Sequence, residues 1–594
     1  MTDKTIVKNR KMLLYAGFLI LLAPILYWVL KAIFAGSTYP FALFMDERIT
    51  YEPIHQALVG TWFDLLSFFF DGHDNRYGRL LWNIDFIGSY IPFKLFGDQG
   101  QIITTRLIQM IVLMTGYYLM IWSLVKSDVI RILVFLCLML LPQSFYYFLM
   151  PKPEPFIVLI IGCLIHCLIA GKQRYYFLFL GILAGLKIST IPICGLFLGA
   201  YLLTFPTAYS LRAFWTDIKK LFNYKIVGFY LLLSAGLAFL LFYYFKIQYL
   251  EEIYLVLMKK KVLKINLYHG FVAFNAFLAA FFIMISWLYC RPSFSNLSVI
   301  SRQKIQLLTG LAICNTYLYF TPFNIFLYIT TPVTHGADNT AITVFHWLDF
   351  MYKDVFFAQP TLIIVFLSSM IAIWFLTWFK KTNSILNRNM IGLIVLICLV
   401  NLLPVIFFTK RLWGFYLLLP MVFLWGYYAK ILDNIKHSGI KIVGCTLLLL
   451  YPILGFPGLE NTAKSKIEEE REMGFVYKKA EYLKVCETLN NLTRQMPEKE
   501  RTAFWDPNLF FPDQLAGINV KVFWGPFNGW KEGRSLVVLS NYPDKLYQAE
   551  KGNKNFEKNN VSITQFRNFT DSLTGSYSEY HKDSFQYYRI FLKH

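Results

Sequence analysis

The sequence predicts an α-helical polytopic membrane protein of about thirteen transmembrane helices, followed by a C-terminal extracytoplasmic α+β domain. Three observations predict it. Of 594 residues, 56% are hydrophobic and only 16% are charged, where an ordinary soluble chain carries about 25% charged residues. The apolar residues gather into stretches near the length of about 20 residues that crosses the hydrocarbon. The polar residues fill short connections and one long segment after residue 457.

The apolar stretches fall at 12–35, 101–125, 129–149, 155–170, 175–190, 191–205, 225–245, 269–290, 305–329, 360–379, 390–408, 412–429 and 440–457. The pair within 175–205 is the shortest. No small-residue cleavage site follows the first stretch, so it reads as a span rather than a cleaved signal. Lys4, Lys8, Arg10 and Lys11 precede it and place the N-terminus in the cytoplasm. The even-numbered loops then face the cytoplasm, and each carries Lys or Arg, as in Lys126 and Arg131, Lys172 and Arg174, or Lys430, Lys436 and Lys441. An odd number of spans puts the C-terminal segment outside, most simply across a bacterial inner membrane. The loop 246–268 departs from the rule with Lys259, Lys260, Lys261 and Lys264.

This distribution also accounts for the net charge of +21. The cations are scattered where topology requires them, so nucleic acid is not an expected partner. Eight of the nine cysteines lie in apolar segments, and only Cys486 lies in a polar one. One such thiol builds no disulfide framework.

Three long segments are expected outside the cytoplasm: 36–100, 328–359 and 458–594. In the first, TWFDLLSFFF (61–70) and LLWNIDFIGSYIPFKLFG (80–97) mix aromatics with sparse charge and read as interfacial helices. In the last, helical sequence at 465–495 precedes the β-like runs VKVFW (520–524), SLVVLS (535–540) and YYRIFL (587–592). The expected division is a transmembrane domain, 1–457, and a small α+β domain, 458–594.

Several charged residues stand where hydrocarbon is expected nearby. FMDERITY, 44–51, sets Asp46 and Glu47 side by side just outside the first span, with Tyr51 following. Partial desolvation and a like-charged neighbour would suit a general base, and solvated loop carboxylates are the plain alternative. MPKPEPF, 150–156, puts Lys152 and Glu154 in a tight turn on the same face. They read as a site wall, or as residues of a proline turn that merely ends a helix. In GILAGLKIST, 181–190, Lys187 is either paired or snorkelling. Lys410 and Arg411 precede the span that opens YLLLP, on a face where topology disfavours cations. Arg76 and Arg79, in HDNRYGR, add more positive charge. Such cations suit a phosphate, or salt bridges within loops. His335, Asp338, His346 and Asp349 share the loop 328–359 at irregular spacing, and a mobile covering loop explains them better than a divalent metal. Acids that activate a hydroxyl, beside cations that hold a lipid phosphate, suggest glycosyl transfer in which a polyprenyl phosphate leaves.

With these parts in order, the chain resembles the polytopic glycosyltransferases of the GT-C fold. The similarity is to the branch of protein O-mannosyltransferases and lipid A aminoarabinose transferases. The resemblance rests on Asp46-Glu47 after one span and Glu154 at the outer start of the fourth. It rests too on Gly181 to Ser189 of the fifth, and on Lys410-Arg411 leading to Tyr416–Pro420. The sequence departs from that branch in Glu154, where Asp is usual, and in Lys-Arg, where Arg-Tyr is usual. The resemblance implies a polyprenyl-phosphate-linked sugar donor and a glycan, lipid or protein acceptor. It implies inversion, with Asp46 as base and Glu47 tuning or orienting. Lys410, Arg411 and Lys187, with Arg76 and Arg79, would hold the donor phosphate. Lys152, Glu154, His335 and Tyr51 would line the sugar or acceptor pocket. No cofactor is required, and a divalent metal is an open addition. The rival reading is a transporter or flippase of lipid-linked glycans, which would string charge through the midplane and carry inverted repeats.

Overall fold

The computed structural model describes residues 3–35, 80–187, 190–204, 359–379, 392–400, 417–476, 479–505, 518–522, 534–540, 569–573, 575–580 and 588–594, with scattered residues at 51–60, 68, 303–314, 352–356, 390 and 585. Two compact units emerge. One comprises 1–30, 57–90 and 104–463; the other comprises 31–56, 91–103 and 464–594.

The helices follow apolar composition. They are α1 (Asp3–Ala35), α2 (Leu80–Phe96), α3 (Asp98–Leu124), α4 (Asp128–Met139), α5 (Pro142–Leu149) and α6 (Glu154–Ile169). Then come α7 (Tyr176–Leu186), α8 (Ile191–Thr204), α9 (Pro360–Phe379), α10 (Leu418–Asn434), α11 (Ser438–Val476) and α12 (Lys479–Arg494). Among the described residues three stretches, Met12–Ala35, Gln99–Leu124 and Ser438–Ile467, are long and apolar enough to cross a membrane. The chain is therefore an integral membrane protein. They expose large apolar side chains such as Leu19, Ile20, Ile111 and Ile442, which suits hydrocarbon rather than water.

The stretch expected as one span at 129–149 is broken. α4 and α5 meet at 64° across Leu140 and Leu141, the geometry of a broken span or of a re-entrant loop. Pro142 opens α5 and has no N–H to continue α4. The freed carbonyl of Leu138 accepts the Ser144 hydroxyl at 2.6 Å, and Tyr117 donates to that same Ser144 oxygen at 2.6 Å. The spans expected at 175–190 and 191–205 are short helices of 11 and 14 residues. Those expected at 225–245 and 269–290 lie outside the described residues.

The boundary expected at 457/458 falls inside α11, which runs 39 residues through Pro452 and Pro457. The Gln359 amide, oriented by its surroundings, donates to Leu454 O at 2.6 Å and accepts from Gly458 N at 3.0 Å. Those two backbone groups would bond each other in an unbroken helix. A side chain inserted there satisfies the ladder that the proline disturbs.

Within the first unit, α6 packs along α7, and α10 along α4. At one end of this bundle the connection 125–127 is tied to the last turns of α10. Asp433 accepts the backbone N–H groups of Lys126 at 2.8 Å and Ser127 at 3.1 Å. Lys430 donates to Leu124 O at 2.8 Å. These are orphan groups of helix ends, met by side chains from another helix.

In the second unit a five-stranded sheet has the order β2-β1-β3-β5-β4. The strands are β1 (Thr502–Trp505), β2 (Asn519–Val522), β3 (Leu536–Ser540), β4 (Tyr577–Glu579) and β5 (Tyr588–Lys593). β1 pairs parallel with β2 and β3, and β5 antiparallel with β3 and β4. The described residues of VKVFW (520–522), SLVVLS and YYRIFL (588–592) fall on β2, β3 and β5. Side chains alternate across the sheet with period two. Leu536, Val538, Tyr588 and Ile590 join Tyr482, Val485, Cys486 and Leu489 of α12 on one face. Val537, Leu539 and Phe591 join Phe569, Leu573 and Tyr577 on the other. Both faces of β3 are covered, which explains why its sequence is continuously apolar.

Candidate active site

Of the expected site residues, Tyr51, Lys152, Glu154 and Lys187 are described. Asp46, Glu47, Arg76, Arg79, His335, Lys410 and Arg411 lie outside the described residues.

The structure brings Glu154 and Lys187 together. Pro151 and Pro153 keep the chain out of helix until Glu154, which opens α6. A carboxylate at a helix start faces the positive end of the macrodipole. Ile157 N bonds Pro153 O at 2.9 Å and closes the first turn. Lys187 ends α7 in extended conformation, φ −158° and ψ 137°. Its carbonyl accepts the Thr190 hydroxyl at 2.7 Å, and that hydroxyl also reaches Leu183 O. Thr190 thus caps the end of α7 and fixes where Lys187 departs.

From there Lys187 Nζ donates to Glu154 Oε1 at 2.7 Å. The side chains are only 20% and 10% exposed. The other carboxylate oxygen, Glu154 Oε2, is buried and has no hydrogen-bond partner among the described residues. A charge-assisted bond of this length satisfies one oxygen strongly and leaves the second as an acceptor. Lys152, two residues before, is also buried. The turn therefore gathers two cations and an acid behind little solvent, and offers an acceptor for a hydroxyl or amine.

Glycine in GILAGLKIST serves packing. A Cβ on Gly181 would lie 2.2 Å from Leu307 O, and one on Gly310 would lie 2.4 Å from Leu178 O. α7 and the helical residues around 307–310 touch through their backbones, and only glycine admits that approach.

Tyr51 belongs to the second unit. It is buried, and its carbonyl accepts from Gln101 Nε2 at 3.1 Å. His55 stands edge-on to Phe93 with centroids 5.7 Å apart. Among the described residues no three His, Cys, Asp or Glu side chains come together to hold a metal ion.

One polar group was not singled out by the sequence reading. Asp85 and Ser89 of α2, and Thr105, Arg106 and Gln109 of α3, are all buried. Ser89 Oγ and Thr105 Oγ1 lie 3.2 Å apart, and Gln109 Nε2 donates to Asp85 Oδ2 at 3.4 Å. The signal was present as two i, i+4 pairs, 85/89 and 105/109, each placing both members on one helix face.

No protein-family model matches the chain, and no curated protein matches it by sequence. Among solved structures it is similar to the crystal structure of ArnT from Cupriavidus metallidurans in the apo state, at 11% identity over 98% of each chain with a TM-score of 0.34.

Proposed function

We propose that this protein is an integral membrane glycosyltransferase of the GT-C type, moving a sugar from a polyprenyl-phosphate donor to an acceptor on the extracytoplasmic face. The observation that carries the reading is the Glu154–Lys187 pair. It is a nearly buried ion pair between the ends of two apolar helices, with one carboxylate oxygen still without a partner among the described residues. Such a half-satisfied group is costly in an apolar setting and is most readily explained by a ligand.

In this reaction Asp46 removes the proton of an acceptor hydroxyl as its oxygen attacks the anomeric carbon. The bond between that carbon and the phosphate oxygen breaks, and configuration inverts. The electron pair leaves with the polyprenyl phosphate. Lys410, Arg411 and Lys187, with Arg76 and Arg79, balance the leaving charge. Glu47 orients the base or the acceptor. Glu154 Oε2 accepts from a sugar or acceptor hydroxyl, with Lys152, His335 and Tyr51 lining the pocket. The acceptor is a glycan, a lipid or a protein, and membrane lipid solvates the donor tail.

The test is transfer of radiolabelled sugar from polyprenyl phosphate in vesicles, comparing wild type with Asp46→Asn at equal folded yield. Transfer that falls by about a hundredfold or more in the variant supports the base assignment. Equal transfer removes it. Labelled lipid crossing the bilayer, with no transfer by either protein, replaces the enzyme with a flippase.

A further inference from the structure

We propose that Asp85 is held as a neutral carboxylic acid, closing a two-bond ring with the Gln109 amide that latches α2 to α3 and loses one of its two bonds when the acid ionises. The argument begins with unmet hydrogen bonds. Gln109 Nε2 donates to Asp85 Oδ2 at 3.4 Å. The remaining oxygens of the pair, Asp85 Oδ1 and Gln109 Oε1, are both buried with no hydrogen-bond partner among the described residues. Both are acceptors if Asp85 is ionised, and two adjacent buried acceptors without a donor are costly. One proton on Asp85 Oδ1 resolves both at once. It donates to Gln109 Oε1 while the existing bond returns from Nε2, and every polar atom of the two groups is then satisfied.

The surroundings favour the neutral form. Asp85 and Gln109 are both fully buried. The charged and titratable side chains on the two helices nearby are Arg106, Tyr90 and Lys94. Tyr90 is half exposed, Lys94 lies over the Phe93 ring, and Arg106 is buried. Among the described residues no cation pairs with Asp85. Burial pushes its carboxyl well above the usual range, and the Gln109 bond opposes this only in part. The second rung of the seam, Ser89 with Thr105, sits one turn away on each helix. α2 is thus fastened to α3 by side-chain hydrogen bonds in addition to packing, and ionisation of Asp85 would remove one of the two bonds of its rung and set Oδ1 against Gln109 Oε1 as two facing acceptors.

The test uses the full-length protein in lipid nanodiscs. Infrared spectra are recorded from about pH 5 to about pH 9, with and without carbon-13-labelled aspartate, on wild type and Asp85→Asn. The expected result is a protonated-carboxyl band at neutral pH that shifts with the label and is missing from Asp85→Asn. Asp85→Asn should also resist SDS unfolding as well as wild type, since an Asn–Gln amide pair keeps both bonds, whereas Asp85→Leu should unfold at lower SDS. No label-sensitive acid band in the wild type at neutral pH overturns the proposal. So does an Asp85→Asn variant as unstable as Asp85→Leu.

Discussion

Removing Lys187 tests the energetics of the Glu154 turn most directly. At 2.7 Å, and with an effective dielectric of about 20, the gross attraction is about 6 kcal/mol. Desolvation of two largely buried groups offsets much of it. The pair is asymmetric. Lys187 is 20% exposed and has a flexible stem, whereas Glu154 is 10% exposed and fixed at the head of α6. Lys187→Met should cost about 3 kcal/mol, because it strands a buried carboxylate. Glu154→Gln should cost about 1.5 kcal/mol, because the stranded ammonium can move towards water. The double variant should cost only about 2 kcal/mol, which leaves a coupling of about 2.5 kcal/mol. SDS titration of the purified protein in mixed micelles measures each value from the shift in unfolding midpoint. Additive single effects, with coupling below about 0.5 kcal/mol, would refute the reasoning and make Lys187 a snorkelling residue.

Other outcomes follow from the same geometry. Gly181→Val should prevent α7 from meeting the segment at 307–310, because its Cβ would lie 2.2 Å from a backbone oxygen. A loss of about 3 kcal/mol or failure to fold is expected, read as folded yield in detergent. Leu489→Ala should cost about 3 kcal/mol, since Leu489 is fully buried between α12 and the sheet. Unfolding of the second unit's tryptophan signal would report it. The folded-state pKa of Asp85 lies above its unfolded value, so the native state binds the extra proton. Stability should therefore be highest below about pH 4 as far as this group is concerned, and decline as pH rises towards the raised pKa. Asp85→Asn should remove that slope from the SDS midpoint. Asp433→Ala should free the N–H groups of Lys126 and Ser127, costing about 1 to 2 kcal/mol and speeding hydrogen exchange at the start of α4.

The membrane class of this protein was legible from composition, because hydrocarbon selects long apolar helices whatever else the chain does. The spans at 12–35 and 101–125 match the apolar stretches Met12–Ala35 of α1 and Gln99–Leu124 of α3 for that reason. β3 and β5 were legible because alternating or continuous apolar runs fit a sheet covered on both faces. Pairing was harder to read. That Lys187 would be paired rather than snorkelling depended on where Thr190 ends α7 and where two prolines start α6, and only packing brings those ends together. The bend at Leu140–Leu141 was hidden because an apolar run reads the same whether straight or broken at 64°. The continuation of α11 through Pro457 was hidden because Gln359, far off in sequence, supplies the missing hydrogen bonds. Asp85 was one sparse charge within the interfacial helix expected at 80–97. Its sequence gives residue type and helical phase, while its charge state is set by the solvent that α2 and α3 exclude when they pack. Local periodicity and composition are written into the chain, and desolvation and partner choice arise only when distant segments meet.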